Sequence, residues 1–357
     1  MSGFRVEGHM HKSRHAALGL MALVALASPA AAGIDAAGTA AANFLTVGTS
    51  PAVLGMGGAA LGRSGSLDLV NWNPGALGYV NETNLQLSHA TMDDQSAQEW
   101  ASLGGRFGHS HTHWAMSALY QNDGSVEGRD AGNLATESFS VGSGAATFQL
   151  AQAFGQHVAL GVAGKYVLDN LGPLQRGGGF TFDGGLSMRY GALGFGFAGQ
   201  NVGGSMTYGV SKYAFPSNYG GGVSYTHASS GVTVACDVNV PSTSYTNVRT
   251  GAEWRYKQRV ALRMGYRAEL SAPSDEPLAG PTFGTGLGGH GMWLDYGFVL
   301  SGNQGGQHRL AISLRPGDLG WKSGDPFGQN SIPKDFDARK VAGPPAPSTG
   351  DAKPSKR

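Results

Sequence analysis

The chain has 357 residues, a formal net charge of +1 and only 14% charged residues, so it carries no basic footprint for nucleic acid. Glycine accounts for 59 positions without a collagen-like period, and the lone Cys236 excludes an intrachain disulfide. The fold must be held by packing and a hydrogen-bonded ladder.

At the N-terminus, Arg5, Lys12 and Arg14 precede an apolar run from Ala16 to Ala27 and the small residues Ser28-Pro29-Ala30-Ala31-Ala32. This order predicts a secretory signal over 1–32, cut after Ala32, and an exported mature chain. No cysteine follows the cut, so no lipid anchor is expected there. After the signal there is no apolar run long enough for a membrane helix, so membrane insertion requires a closed barrel.

Residues 33–82 are rich in glycine and alanine. Thr39 to Leu45 reads as a short helix with Phe44 and Leu45 as its bulky anchors. Gly55-Met56-Gly57-Gly58-Ala59 permits close backbone packing. In Trp72-Asn73-Pro74, the proline biases Asn73 to an extended conformation and the Asn side chain can bond neighbouring backbone, which predicts a fixed turn.

From 83 to 316 the chain alternates in about fourteen period-two segments. Val158, Leu160, Val162, Tyr166 and Leu168 oppose small residues and Lys165. Phe180, Phe182, Leu186 and Met188 oppose Asp183, Ser187 and Arg189. Val232, Val234, Cys236, Val238 and Val240 oppose Asp237 and its small or polar neighbours. Trp254 and Tyr256 oppose Arg249, Glu253 and Arg255. Val260, Leu262, Met264 and Tyr266 oppose Arg263 and Arg267, and Leu310, Ile312 and Leu314 oppose Arg309, Ser313 and Arg315. Turns are expected at Asn122-Asp123-Gly124, Leu171-Gly172-Pro173 and Ser301-Gly302-Asn303.

Such alternation also suits a soluble β-sandwich. Segment length near that of a tilted membrane strand, and aromatics at segment ends (Tyr120, Tyr190, Tyr225, Trp254, Tyr256), favour an all-β transmembrane antiparallel barrel. On that reading Lys165, Asp183, Arg189, Asp237, Arg249, Glu253, Arg263 and Arg267 face the lumen, because an ionised group near the lipid midplane costs about 2–4 kcal/mol. Structural ion pairing is their expected role. The stretch 317–357, rich in Pro, Gly, Lys, Asp and Ser, is expected to be a disordered tail.

Other motifs dissolve in this context. Gly194-Phe195-Gly196-Phe197-Ala198-Gly199 has the letters of a dinucleotide loop but sits inside a strand, and Gly284 to Gly289 is likewise strand. His109, His111 and His113 share a strand face by spacing, but neighbouring Gly108 and Ser110 point to surface histidines in a turn. With no Gly-x-Ser-x-Gly elbow and no placed carboxylate pair, no catalytic residue, cofactor or metal is expected.

The order of small-residue helix, "LGMGGA" and "WNPGAL" resembles the N-terminal hatch of the PorV/PorQ proteins, outer-membrane barrels of the FadL-like superfamily, and the resemblance extends to about Pro316. It implies a hatch lodged in a barrel of about fourteen strands in the bacterial outer membrane, with Gly55, Gly57, Gly58, Trp72, Asn73 and Pro74 shaping the hatch. The superfamily's Asn-Pro-Ala turn is interrupted here by Gly75. The implied function is non-enzymatic: a shuttle in type IX secretion that receives cargo proteins and passes them to attachment machinery. Its contact regions would lie around Asn122 to Ala135 and Val202 to Asn218. The other function in the superfamily is transport of a hydrophobic small molecule such as a long-chain fatty acid. Expected partners are outer-membrane lipid and either cargo or a hydrophobic ligand, not nucleic acid.

Overall fold

A computed structural model describes residues 39–92, 96–172, 175–270, 280–300 and 306–319. The signal segment, the turn at Ser301 and the tail beyond 319 lie outside the described residues.

Among the described residues sixteen strands follow one another. They are β1 (Asn84–Thr91), β2 (Ala97–Arg106), β3 (Thr112–Val126), β4 (Phe139–Phe154), β5 (Val158–Asn170), β6 (Arg176–Tyr190), β7 (Leu193–Val202) and β8 (Ser205–Tyr208). The remainder are β9 (Ser211–Ala214), β10 (Asn218–His227), β11 (Val232–Pro241), β12 (Asn247–Tyr256), β13 (Val260–Glu269), β14 (Gly280–Gly289), β15 (Met292–Leu300) and β16 (Gly306–Leu314). Fourteen of them form a closed antiparallel ring: β7 pairs with β10, and β1 meets β16 with Leu85 opposite Leu314. The β8–β9 hairpin stands off the ring, with β8 paired to the outer half of β6. Closure removes every free edge in the ring, which a hydrocarbon environment demands.

Along much of the ring, side chains alternate between the two faces. On β5, Leu160, Val162, Tyr166 and Leu168 are exposed, whereas Ala159, Ala163, Lys165, Val167 and Asp169 are buried. Met264 on β13 is 62% exposed while its neighbour Arg263 is 5% exposed. A water-soluble protein does the opposite; here the apolar side chains face lipid and the charges of β5 and β11 to β13 face inward, while Glu99 pairs with His89 at 2.6 Å on the outward face near the outer ends of β1 and β2. Tyr190, Tyr225, Trp254 and Tyr256 stand exposed toward the short-turn end of the barrel, and Tyr120 lies within β3.

The connections differ at the two ends. One end carries the short turns 155–157, 191–192, 228–231, 257–259 and 290–291, and the other carries the longer connections 127–138 and 203–217. In barrels of this class the short turns are periplasmic, so the long connections and the β8–β9 hairpin lie on the outer side. The wall is uneven in height. β3 to β6 run 13 to 16 residues, and β10 to β16 run 9 or 10.

Three local expectations are corrected. Asn122-Asp123-Gly124 is not a turn; β3 runs through it with a register shift between Asn122 and Ser125, and Gly124 takes the left-handed φ of +88°. Its turn chemistry serves a bulge, where Asn122 Oδ1 accepts the Gly124 N–H at 3.0 Å. Thr39 to Leu45 is not a helix: Ala42 sits at φ +55°, and only a 3-10 turn over Asn43–Thr46 follows. His113 is not a surface turn residue but a buried side chain on the inner face of β3, and no metal-binding group occurs among the described residues.

Candidate functional site: the plugged lumen

The chain from Thr39 to Thr83 occupies the lumen. It begins at the outer end, where the Ala41 N–H bonds to the Ala214 carbonyl of β9 at 3.0 Å, and leads down to β1 at the short-turn end. Its apolar side chains make small cores of their own. Val53, Ala60, Leu61, Leu69, Trp72 and Ala76 pack with Ala198 of β7, and Leu67, Val70, Leu77 and Val80 pack with Trp100, Ala115 and Ala151 of the wall. Pro51–Leu54 forms one helical turn capped by Ser50, and Pro74–Tyr79 forms a 3-10 turn.

Backbone meets backbone where this segment touches the wall. A Cβ at Gly265 would lie 2.1 Å from the Gly57 nitrogen, and one at Gly251 would lie 2.3 Å from the Met56 carbonyl oxygen. Gly284 faces Gly55, Gly297 faces Pro51, and Gly161 faces Pro74. Any side chain at these wall positions would push the inner segment away. Gly57 and Gly58 themselves take positive φ, +69° and +81°, which larger residues rarely adopt.

The turn at Trp72-Asn73-Pro74 is tied in three directions. Asn73 is extended and fully buried, its Oδ1 accepts the Gly75 N–H at 2.9 Å, and its Nδ2 donates to the carbonyls of Leu61 at 3.2 Å and Leu186 at 3.0 Å. Gly75, the departure from the Asn-Pro-Ala pattern, is explained here: a Cβ on it would lie 2.9 Å from both Gly185 O and Ser187 N of β6.

Polar anchors complete the docking. Asp237 Oδ2 accepts the Ala60 N–H at 2.6 Å and the Leu61 N–H at 2.8 Å, and Thr282 Oγ1 accepts the Gly57 N–H at 2.8 Å. Asp68 accepts from Ser50 Oγ at 2.6 Å, from Ser66 Oγ at 2.7 Å and from Gln86 of β1.

The charges foreseen on the inner face fall into groups. Lys165 pairs with Asp183 at 2.7 Å and donates to Asn201 Oδ1 at 2.8 Å. Arg263 lies between Glu253 and Asp295 at 2.6 Å from each, and Arg255 also reaches Glu253 at 3.2 Å. Arg267 pairs with Glu269 at 2.8 Å, and Arg249 bonds Asn247 Oδ1 at 2.9 Å. Asp237 holds the inner segment, as described. Arg189 stands apart at the short-turn mouth, exposed, its guanidinium 4.8 Å from the Tyr79 ring. Asp295 was not foreseen in this set, although its place on the inner face of β15 was readable from parity; its pairing with Arg263, 32 residues away, was not. Arg309, 1% exposed and bonded to Gln98 Oε1 at 3.0 Å, is a second omission; its place on the inner face of β16 was readable from parity.

A cavity of about 560 Å³ lies above the inner segment, within the range of small-molecule sites. Phe44, Leu45, Leu54, Trp72, Trp100 and Leu119 give it an apolar flank, and Gln121, Gln200, Asn201, Asn218, Asn247 and Thr282 give it a polar one. The β8–β9 hairpin packs beside it: Met206 is fully buried in a cluster with Phe44 and Ala145, which line the cavity, and with Val167 and Phe215. Tyr208 beside it donates to Asp169, and burial together with that bond pushes its phenol well above the usual range. A second recess, of about 670 Å³, opens below the segment among Arg63, Ser66, Arg189, His227, Glu253 and Arg255.

No protein-family model and no curated protein matches the sequence. Among solved structures the chain is similar to the toluene transporter TbuX of Ralstonia pickettii, with TM-score 0.54 and 13% identity over 75% of this chain and 98% of that one. It is similar to the toluene transporter TodX of Pseudomonas putida, with TM-score 0.55 and 12% identity over 75% and 98%. A FadL homologue of Pseudomonas aeruginosa aligns with TM-score 0.49 and 9% identity over 75% and 98%. At such identities the likeness is one of fold. The closed antiparallel barrel and its lipid-facing belt place the chain in the bacterial outer membrane.

Proposed function

We propose that this chain is an outer-membrane transporter for small molecules with a hydrophobic body. The observation that carries the reading is the outer cavity of about 560 Å³, floored by the inner segment and flanked on one side by Phe44, Leu45, Trp100 and Leu119. Apolar walls supply affinity and a few polar groups supply orientation, the usual division in small-molecule sites. That TbuX and TodX are toluene transporters supports the same class of cargo. The reading requires no catalytic residue, cofactor or metal.

Mass spectrometry of material extracted from the purified barrel tests it. A stoichiometric hydrophobic small molecule, displaced by added toluene, is the expected result. The shuttle role implied by the PorV/PorQ resemblance would use the long connections around Asn122 to Ala135 and Val202 to Asn218, and no feature of those connections favours it over transport. Capture of secreted proteins sharing a C-terminal domain, with no bound small molecule, would overturn the transporter reading in its favour.

A further inference from the structure

The two recesses on either side of the inner segment share an electrostatic character that a carrier of neutral hydrocarbon does not need. Among the described residues Lys165, Arg249 and Arg267 line the outer cavity, and the carboxylates paired with two of them, Asp183 with Lys165 and Glu269 with Arg267, lie behind its lining. The inner recess is lined by Arg63, Arg189 and Arg255 against the single carboxylate of Glu253. Between the two, β12 and β13 carry the cations in register: Arg249 is opposite Arg267 and Glu253 is opposite Arg263.

Several of these guanidinium groups have spare donors. Arg249 makes no ion pair among the described residues, its one side-chain hydrogen bond being to the neutral Asn247. Arg63 Nη1, Arg255 Nε and Arg267 Nε are buried without an acceptor. A buried donor left unmet costs about 1–3 kcal/mol, more on a charged group, so these three atoms, enclosed as the chain stands, would gain an acceptor only when a side chain turns toward a recess. The inner segment borders this column, with Gly58 against the Arg249 side chain: a Cβ there would lie 3.2 Å from Arg249 Cδ.

We propose that the column of arginines on β12 and β13 makes the lumen selective for small organic anions: the solute's carboxylate or sulfonate is received by Arg249 and Arg267 in the outer cavity and passed to Arg63 and Arg255 below the inner segment. This rests on the transporter reading and names the charge of its substrate. The apolar flank of the outer cavity holds the uncharged body of the same solute, and the polar flank and modest volume suit a short or aromatic acid. Guanidinium binds such oxyanions in a fork of paired N–H donors.

The test uses the full-length protein in proteoliposomes loaded with benzenesulfonate, a permanently charged aromatic anion, or with benzyltrimethylammonium, a cation of similar ring size. Release is followed by ultraviolet absorbance. Benzenesulfonate is expected to leave about tenfold faster than the cation, and Arg249→Gln and Arg255→Gln are each expected to slow it about tenfold, the size of one lost charge-assisted hydrogen bond. Arg249→Lys, which keeps the charge, should restore most of the rate. Heat-modifiable electrophoretic mobility verifies that each variant forms the barrel, and the wild-type rate ratio is decisive if a variant does not. Equal release of the two ions, a preference for the cation, or full benzenesulfonate release in folded Arg249→Gln and Arg255→Gln overturns the proposal. Calorimetric titration of the wild type with toluene separates the two readings: toluene binding without anion preference sinks only the proposal, while neither toluene binding nor anion release sinks the transporter reading as well.

Discussion

The carboxylate of Asp237 accepts the backbone N–H of Leu61 at 2.8 Å, across 176 residues of chain, and takes the neighbouring Ala60 N–H at 2.6 Å. One charged side chain from the wall thus fastens two consecutive amides of the lumen segment. Asp237 is fully buried, so both bonds are formed out of water, where they are strongest.

Asp237→Ala removes the one oxygen that accepts both bonds and strands the two amides. Each charge-assisted bond contributes about 1.5–3 kcal/mol, so the variant is expected to loosen the inner segment by a few kcal/mol while the ring of strands survives. Limited proteolysis in detergent reads this out directly. Cleavage near Arg63 should appear in the variant and not in the wild type; identical protection in both would show that the carboxylate is not the fastener.

Gly161→Val tests the contact between wall and segment backbones. A Cβ at this position would lie 2.3 Å from the Pro74 carbonyl, and neither partner has a flexible side-chain end to move aside. Overpacking of this kind costs about 1–3 kcal/mol or more, visible as a lowered unfolding temperature. Gly164→Val on the lipid side of the same strand, where the nearest atom is a Phe182 ring carbon at 4.0 Å, should leave that temperature unchanged.

Lys165→Met leaves Asp183 buried without its counter-ion, at an expected cost of about 3–5 kcal/mol. Pairing it with Asp183→Leu replaces the ion pair by apolar volume and should recover most of that loss. Urea titration of the single and double variants gives the coupling. Strictly additive losses would mean that the two groups do not interact.

Met264→Arg places a cation in the lipid-facing belt at a residue 62% exposed. Folding into phosphatidylcholine vesicles should weaken by about 2–4 kcal/mol, as for arginine near a bilayer midplane. An unchanged folding free energy would mean that this face does not meet hydrocarbon.

The ring was legible because each strand carries its own two-residue period: Leu160, Val162 and Lys165 can be assigned to faces without knowing their neighbours. Parity also separated the lumen side of β11 to β13 from the lipid side. What parity cannot supply is pairing across distance. Parity places Asp295 on the inner face of β15 but does not show that Arg263, 32 residues away, is its partner, and the four-residue strands β8 and β9 are too short for a period to show. Asn122-Asp123-Gly124 misled for a different reason, since the residues that permit a reversal also permit a bulge within a continuing strand. The left-handed Ala42 has no sequence signal, alanine being an ordinary helix former.

The pairing of β1 with β16 has a consequence for biogenesis. The stopper precedes the first strand on the chain, it fits the wall main chain to main chain, and it lies along the bore from the outer mouth to the start of β1. A tube already sealed leaves no slack through which such a tightly matched stopper could be threaded, so the last two staves must meet around it. Filling the bore and zipping the seam are therefore one event, and the cork helps choose the diameter of the bottle.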